Sequence, residues 1–427
     1  MIRKRVLSGV AITATAALLL SGCGRPDEGE GAGPEPVTLG DGPATGKLTI
    51  WAQGTEGEAL ADFLAPFEEE NPDVEIQVTP VPWDSAQNKY QTAVAGNTTP
   101  DIGMLGSDWM PAFGSALLPT PSEIDTSDIF PVALETTDLG GTHYGVPWYV
   151  ETRALFYRTD LMQQAGFSEF PTDWEGFKAL AKGYQTGAGA EFGVTLPSGG
   201  WNSFIGNLPF MWSNGGDIIN AEQTEWTIDT PENAEALDYI RSFFDEGIAD
   251  PNPDNESGSQ VSRFVDGSTP MFISGPWDIP GLAAAGGDGF ADKFAVAPIP
   301  ASPSGESMSF AAGANLAVFK GSKNPDAAWK LIQWLTKPDV QVEWYKTVNG
   351  LPSQQSAWDD PALTENPKTA AFGEQLQSTK TAPALTVWPE LSAAADTQIE
   401  QIMRGVIPAA EGLAAIQSEA DSLGFGD

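Results

Sequence analysis

The sequence predicts an α/β fold in two lobes, and three observations predict it. From Lys47 the apolar pattern switches from strand to helix and back to strand, the order of a parallel βαβ unit. Further helices announce themselves by Thr-Pro and Asn-Pro starts followed by apolar stripes of period 3.6. About 380 residues follow the first 46, more than one apolar core organises. With 41 % hydrophobic residues, 14 Trp and 21 Phe, the composition is far from that of a disordered chain.

In chain order, Arg3, Lys4 and Arg5 precede a 15-residue apolar run, Val6 to Leu20, which is short for a membrane span but right for an export signal. Leu20-Ser21-Gly22-Cys23 then resembles a lipobox, in which the cysteine sulfur is diacylated. Cys23 is the only cysteine, so residues 1–22 read as a lipoprotein signal peptide and the mature chain has no disulfide. Residues 23–46 read as the acylated cysteine and a linker rich in Gly, Pro and acid. As a flexible coil, residues 24 to 46 would reach about 26 Å.

KLTIW reads as a buried strand, and Thr55 with Glu58 as a capping box opening a helix with Leu60, Phe63, Leu64 and Phe67 on one face. Asn71-Pro72 stops it, and Val74, Ile76 and Val78 alternate as the next strand. Ligand sites are expected beyond the carboxyl ends of such strands. Thr230-Pro231 begins a helix with Ala234, Leu237, Ile240 and Phe244 inward. Asn324-Pro325 begins another with Ala328, Leu331, Ile332 and Leu335.

Composition and motifs then narrow the chemistry. The formal charge of −37 becomes −40 once the first 22 residues are removed, which disfavours nucleic acid and anionic lipid surfaces as partners and also simply keeps a protein soluble. The single histidine, His143, excludes His-clustered metal sites and reads as a solvated residue beside a turn. No G-x-S-x-G, G-x-x-x-x-G-K-[ST] or G-x-G-x-x-G occurs, so neither a cofactor nor a metal is expected. Asp250, Asn252 and Asp254 echo a calcium loop, but Asn255 and Val261 occupy its glycine and glutamate positions, and an acidic turn is the reading. Glycoside hydrolysis survives this filter, because it needs only two carboxylates. Carbohydrate suits the composition in either case, since sugar rings stack on indoles and their hydroxyls donate to carboxylates. Trp329 and Trp334, inside a periodic helix, read as core, whereas Trp201 and Trp277, beside Gly and Pro, are open between core and ligand.

Five segments in order carry a resemblance: KLTIWAQGTEGEALADFLAPFEEENPDVEI, YQTAVAGNTTPDIGMLGSDW, YGVPWYVETRALFYRTDLMQQAGFSEFPTDWEGF, RFVDGSTPMFISGPWDI and AAGANLAVFKGSKNPDAAWKLIQWLT. Together, from Lys47 to the C-terminus, they resemble the extracellular solute-binding lipoproteins of sugar ABC importers, the maltodextrin-binding type. The resemblance implies a periplasmic-binding-protein-like fold of two α/β lobes around a hinge, residues 47–150 plus 313–358 and residues 151–312 plus 359–427. Crossovers are placed near Val150 to Arg153, near Phe310 to Gly313 and near residues 355 to 362.

It further implies a lipid-anchored monomer on the extracytoplasmic side of the cell membrane that binds a neutral mono- or oligosaccharide without chemistry and passes it to ABC permease subunits. The alternative is a secreted glycoside hydrolase. Carried over by position, Thr55 and Glu56 in the first turn, Asp108, and Glu151 with Tyr149 and Arg153 beside it would take sugar hydroxyls. Trp201, Trp277 and Trp388 would stack, and Gly313 would let backbone approach the ligand. Where maltodextrin binders carry lysine or arginine, this chain has Glu56 and Trp109, so the hydroxyl pattern recognised need not be that of maltose. Glu151 could instead brace the hinge with Arg153 as its partner, and Trp388 could be core.

Overall fold

The computed structural model describes residues 37–253 and 258–426. The signal peptide, Cys23 and most of the linker lie outside these residues, as do Asp254 and Asn255. Two sheets organise the rest. The larger has strands β1 (Gly46–Gln53), β2 (Val74–Val81), β3 (Ile102–Gly106), β4 (Val146–Thr152), β8 (Ser309–Val318), β9 (Leu351–Pro352) and β10 (Thr379–Lys380). The smaller has β5 (Ala154–Arg158), β6 (Met271–Ser274) and β7 (Phe294–Ala297), with β5 in the middle.

The large sheet is mixed, in the order β2-β1-β3-β8-β4-β9, with β10 on the end of β8. The strand, helix, strand order expected from Lys47 is met: β1 and β2 pair in parallel with Leu48 opposite Ile76 and Ile50 opposite Val78, and β3 joins β1 in parallel. Carboxyl ends of β1, β2 and β3 therefore lie on one edge, where β8 runs antiparallel to β3 and to β4. One difference from the sequence reading is local. The single helix expected up to Asn71 is two, Gly54–Phe63 and Ala65–Glu70, the first starting one residue before Thr55, and Thr55 Oγ1 donates to Glu56 Oε2 at 3.2 Å instead of capping the backbone.

Both Pro-started helices form as expected. Thr230 Oγ1 accepts from Asn233 N at 3.3 Å at the start of Pro231–Asp245, and Ala328, Leu331, Ile332 and Leu335 are fully buried in Pro325–Leu335. Trp329 and Trp334 are buried with them, which settles both as core. The free coil read for residues 24 to 46 does not extend to Gly46. Ala44 is buried and donates its N–H to Asn71 Oδ1 at 2.7 Å, Gly40 N donates to Asp326 Oδ1 at 2.7 Å, and Val37 and Leu39 pack on the core. Two apolar side chains and these backbone bonds outweigh the local Gly and Pro content.

The chain leaves the large sheet at Arg153, between β4 and β5, and returns through β8. Ser309 ties the two passages together, its Oγ donating to Arg153 O at 2.8 Å and accepting from Arg153 N at 3.3 Å. A third passage follows β9 through the helix Pro367–Leu376, whose Phe372 packs on Phe156 of β5. Side chains of β5 alternate between two cores: Ala154 and Phe156 join the one that includes Ile50 and Trp148, and Leu155 joins the one that includes Trp174 and Trp388.

Candidate functional site

Each of the three parallel strands ends in a turn that carries polar or indole side chains. After β1, Gly54 adopts φ +58° and the chain enters its helix with Thr55 exposed and Glu56 half-buried. A Cβ at Gly54 would stand 2.7 Å from Trp83 Nε1 and 3.0 Å from Glu56 Oε2. Glycine is what lets Trp83, just past β2, close over the first turn. After β3, the single turn Ser107–Trp109 presents Asp108 and Trp109, and Trp109 meets Trp83 edge-on with ring centroids 5.6 Å apart.

From β4 come Tyr149 and Glu151, and the crossover supplies Arg153. Both Nη1 and Nη2 of Arg153 donate to Glu151 Oε1 at 3.2 Å, and its guanidinium lies over the Trp277 ring at 4.5 Å. Trp277 follows β6, where Gly275 leaves space for its ring; a Cβ there would fall 1.9 Å from the ring. The pairing expected as an alternative for Arg153 is thus present, and the same guanidinium also carries Trp277.

Electrostatics bind the cluster together. Burial, with the charge of Glu151 adding to it, raises the Glu56 carboxyl above its ordinary value. Asp108 is pushed up to about 6 by the same two causes in the same order. Tyr149, whose hydroxyl faces Glu56, is raised well above the usual phenol by burial and then by Glu56 and Glu151. On the other side of the crossover, burial raises Asp278 against the opposing pull of Ser274 and Arg153. A set of neighbouring carboxylates partly withdrawn from water, with indoles around them, can accept hydroxyl hydrogen bonds and cover apolar ring faces.

The structure thus brings together Glu56, Asp108, Tyr149, Glu151, Arg153 and Trp277, with Thr55 at the rim. Trp201 is 85 % exposed on a loop held by Asp396, which accepts from Asn202 N and Phe204 N at 2.8 Å. One expectation is corrected, and a second gains a structural reason. Trp388 is fully buried beside Phe204, because the helix Trp388–Met403 turns it into the core, so it is no stacking platform. Gly313 has an internal reason to be glycine: at φ +153° a Cβ would lie 2.2 Å from Tyr149 O of the facing strand. Its proximity is to β4, where the register shifts between Pro147 and Tyr149, and it lines a small recess with Ser107, Tyr149 and Thr381. Sequence reasoning missed Trp83 and Asp278 and treated Trp109 only as a substitution. Pro82-Trp83 directly after the second predicted strand was the signal that could have found the first, since that is where strand-end sites lie.

A model of the family described as bacterial extracellular solute-binding protein matches residues 62–371. The chain is 26 % identical over 352 residues to the maltotriose-binding protein of Pyrococcus abyssi, covering 78 % of this chain and 72 % of that one. Among solved structures, the sugar-binding protein MalE of Xanthomonas citri shares 29 % identity at a TM-score of 0.79, covering 88 % of this chain and 97 % of that one. The GacH receptor of Streptomyces glaucescens, solved unliganded and with acarbose, shares 27 % at a TM-score of 0.81, covering 89 % and 98 %. The two-lobed α/β fold expected from the sequence is the fold these structures share. With a family model spanning well over half of its length, the chain belongs to the bacterial extracellular solute-binding proteins.

Proposed function

We propose that the protein captures a sugar or oligosaccharide between its lobes and delivers it to the permease of an ABC importer, releasing it unchanged. One observation carries this reading. Glu56, Asp108 and Glu151 converge with the indoles of Trp83 and Trp109 beyond the carboxyl ends of β1 to β3, and Trp277 and Asp278 meet them across the Arg153 crossover. The relative named for maltotriose and the receptor solved with acarbose support the ligand class. Residues 47–150 with 313–358, and 151–312 with 359–427, are proposed as the two moving bodies. A ligand that touches both favours the closed arrangement by its differential affinity. Thioether and acyl linkage at Cys23 would hold the protein as a monomer at the outer face of the cell membrane; among the described residues no helix is long and apolar enough to cross one.

Thermal unfolding of residues 36–427 against a panel of di- and oligosaccharides tests the reading. A ligand at a hundred times its Kd should add about 2.7 kcal/mol of stability. A shift with the sugar recovered intact supports a binder. Released reducing ends would move the assignment to a hydrolase, and no shift with any sugar would remove carbohydrate from it. For the anchor, Cys23→Ala should release the protein from membranes and abolish acyl labelling; a variant that stays bound and labelled would refute lipidation at that residue.

A further inference from the structure

We infer that this site prefers a protonated amino sugar to the neutral sugar of the same shape, a reading that rests on the saccharide assignment above and replaces the neutral ligand expected from sequence. Glu56, Asp108, Glu151 and Asp278 gather about one crossover, and Arg153 is the only cation paired with any of them among the described residues. That cation is already committed: both of its terminal nitrogens donate to Glu151 and its face rests on Trp277. Glu56 is left with its own backbone N–H, the Thr55 hydroxyl at 3.2 Å and the facing Tyr149. Asp108 is left with its own backbone N–H.

Two carboxylates are therefore partly withdrawn from water with no counter-charge. A sugar hydroxyl donates a hydrogen bond to such a group and leaves its charge in place. An ammonium donates and neutralises, and charge-assisted bonds are roughly twice as strong as neutral ones. The surrounding indoles point the same way. Trp83 and Trp277, 37 % and 40 % exposed, and the half-buried Trp109 offer ring faces that attract a cation as well as a pyranose. Trp277 already holds one guanidinium in this manner.

The test is a pair of matched titrations by calorimetry at low salt and pH 6.5. One pair is the glucosamine trimer chitotriose against cellotriose, which have the same linkage but an amine or a hydroxyl at C2. The other is maltotriose with its non-reducing glucose replaced by glucosamine, against maltotriose itself, which differ only in an amine or a hydroxyl at C2. In whichever linkage series binds, the amine member should bind at least ten-fold tighter, and Glu56→Gln and Asp108→Asn should each reduce that preference to about three-fold or less. Raising the ionic strength should narrow the same gap. Using two variants guards against one that misfolds, which thermal unfolding without ligand would reveal. A neutral member that binds as tightly as its amine partner, or a preference untouched by both substitutions, overturns this inference and leaves the saccharide reading standing. Failure of every sugar, amine or neutral, to bind overturns the saccharide reading and this inference with it.

Discussion

The turn Ser107–Trp109 and the helix Trp388–Met403 lie against each other, and each carries one aspartate and one tryptophan, yet the two regions treat those residues in opposite ways. Asp396 on the helix is partnered on all sides: Asn202 N and Phe204 N donate to it at 2.8 Å and Ser203 Oγ at 3.2 Å, although burial still outweighs these bonds and raises its carboxyl above the ordinary value. Asp108 on the turn takes no bond from another residue among those described. Trp388 is fully buried, while Trp109 is half-buried against Trp83, which is itself open to solvent. Trp388 Nε1 is itself buried with no hydrogen-bond partner, but an indole N–H is neutral, and a buried carboxylate left unpaired is the costlier case. Where a protein leaves such a group unpaired, consistency has been given up for something that arrives later, and a ligand is the simplest candidate.

The largest expected effect separates the tryptophans. Trp388→Ala removes a fully buried ring from the core and should cost about 3–5 kcal/mol of unfolding free energy, read by denaturant titration of residues 36–427. Trp277→Ala should leave unfolding nearly unchanged and instead weaken ligand binding by about 1–3 kcal/mol. Equal stability losses at the two positions would break the comparison, since Trp277 would then be core as well.

Next in size is Asp396→Ala, which strands the amides of Asn202 and Phe204 and should cost about 1–3 kcal/mol. Hydrogen exchange should quicken at those two amides and in the loop carrying Trp201 before it quickens elsewhere. Unchanged protection there would mean that water replaces the carboxylate without loss and that the brace is not what orders the loop.

What the sequence made legible was whatever one local pattern decides. The 3.6-residue stripe of Pro325–Leu335 and the parallel pairing of β1 with β2 follow from periodicity alone. Glu56, Asp108, Tyr149, Glu151 and Arg153 were reachable because they stand at strand ends and at a crossover, where a resemblance in order could locate them. Trp388 was placed as a stacking ring by the resemblance, with core as its alternative, and its helical phase, with Leu391, Ala395 and Ile399 on the same buried face, turns the ring inward. Gly313 was placed by the resemblance alone, because the close approach it permits to β4, 164 residues earlier at Tyr149, leaves no local signal. Trp83 and Asp278 went unseen for the same reason, each being defined by what the fold brings near it.

The smallest effect is the one that bears most directly on Asp108. Its folded pKa of about 6 lies above the ordinary 3.8, so folding disfavours the ionised form. The sign follows: its contribution to stability is fully present below 3.8 and is lost as pH rises through about 6. At neutral pH the loss is roughly 2 kcal/mol after allowance for the partial solvent access of the group. Asp108→Asn should therefore be more stable than the parent without ligand at pH 7.5, by up to that amount, and should lose the advantage by pH 4. Glu56 is raised in the same direction, so the difference between variant and parent across the pH range, and not either curve alone, isolates Asp108. The same variant should bind ligand more weakly, because the carboxylate that strains the empty protein is the one the ligand satisfies. An Asp108→Asn variant no more stable than the parent at pH 7.5 would mean that Asp108 is as well satisfied as Asp396, and the contrast between the two regions would disappear.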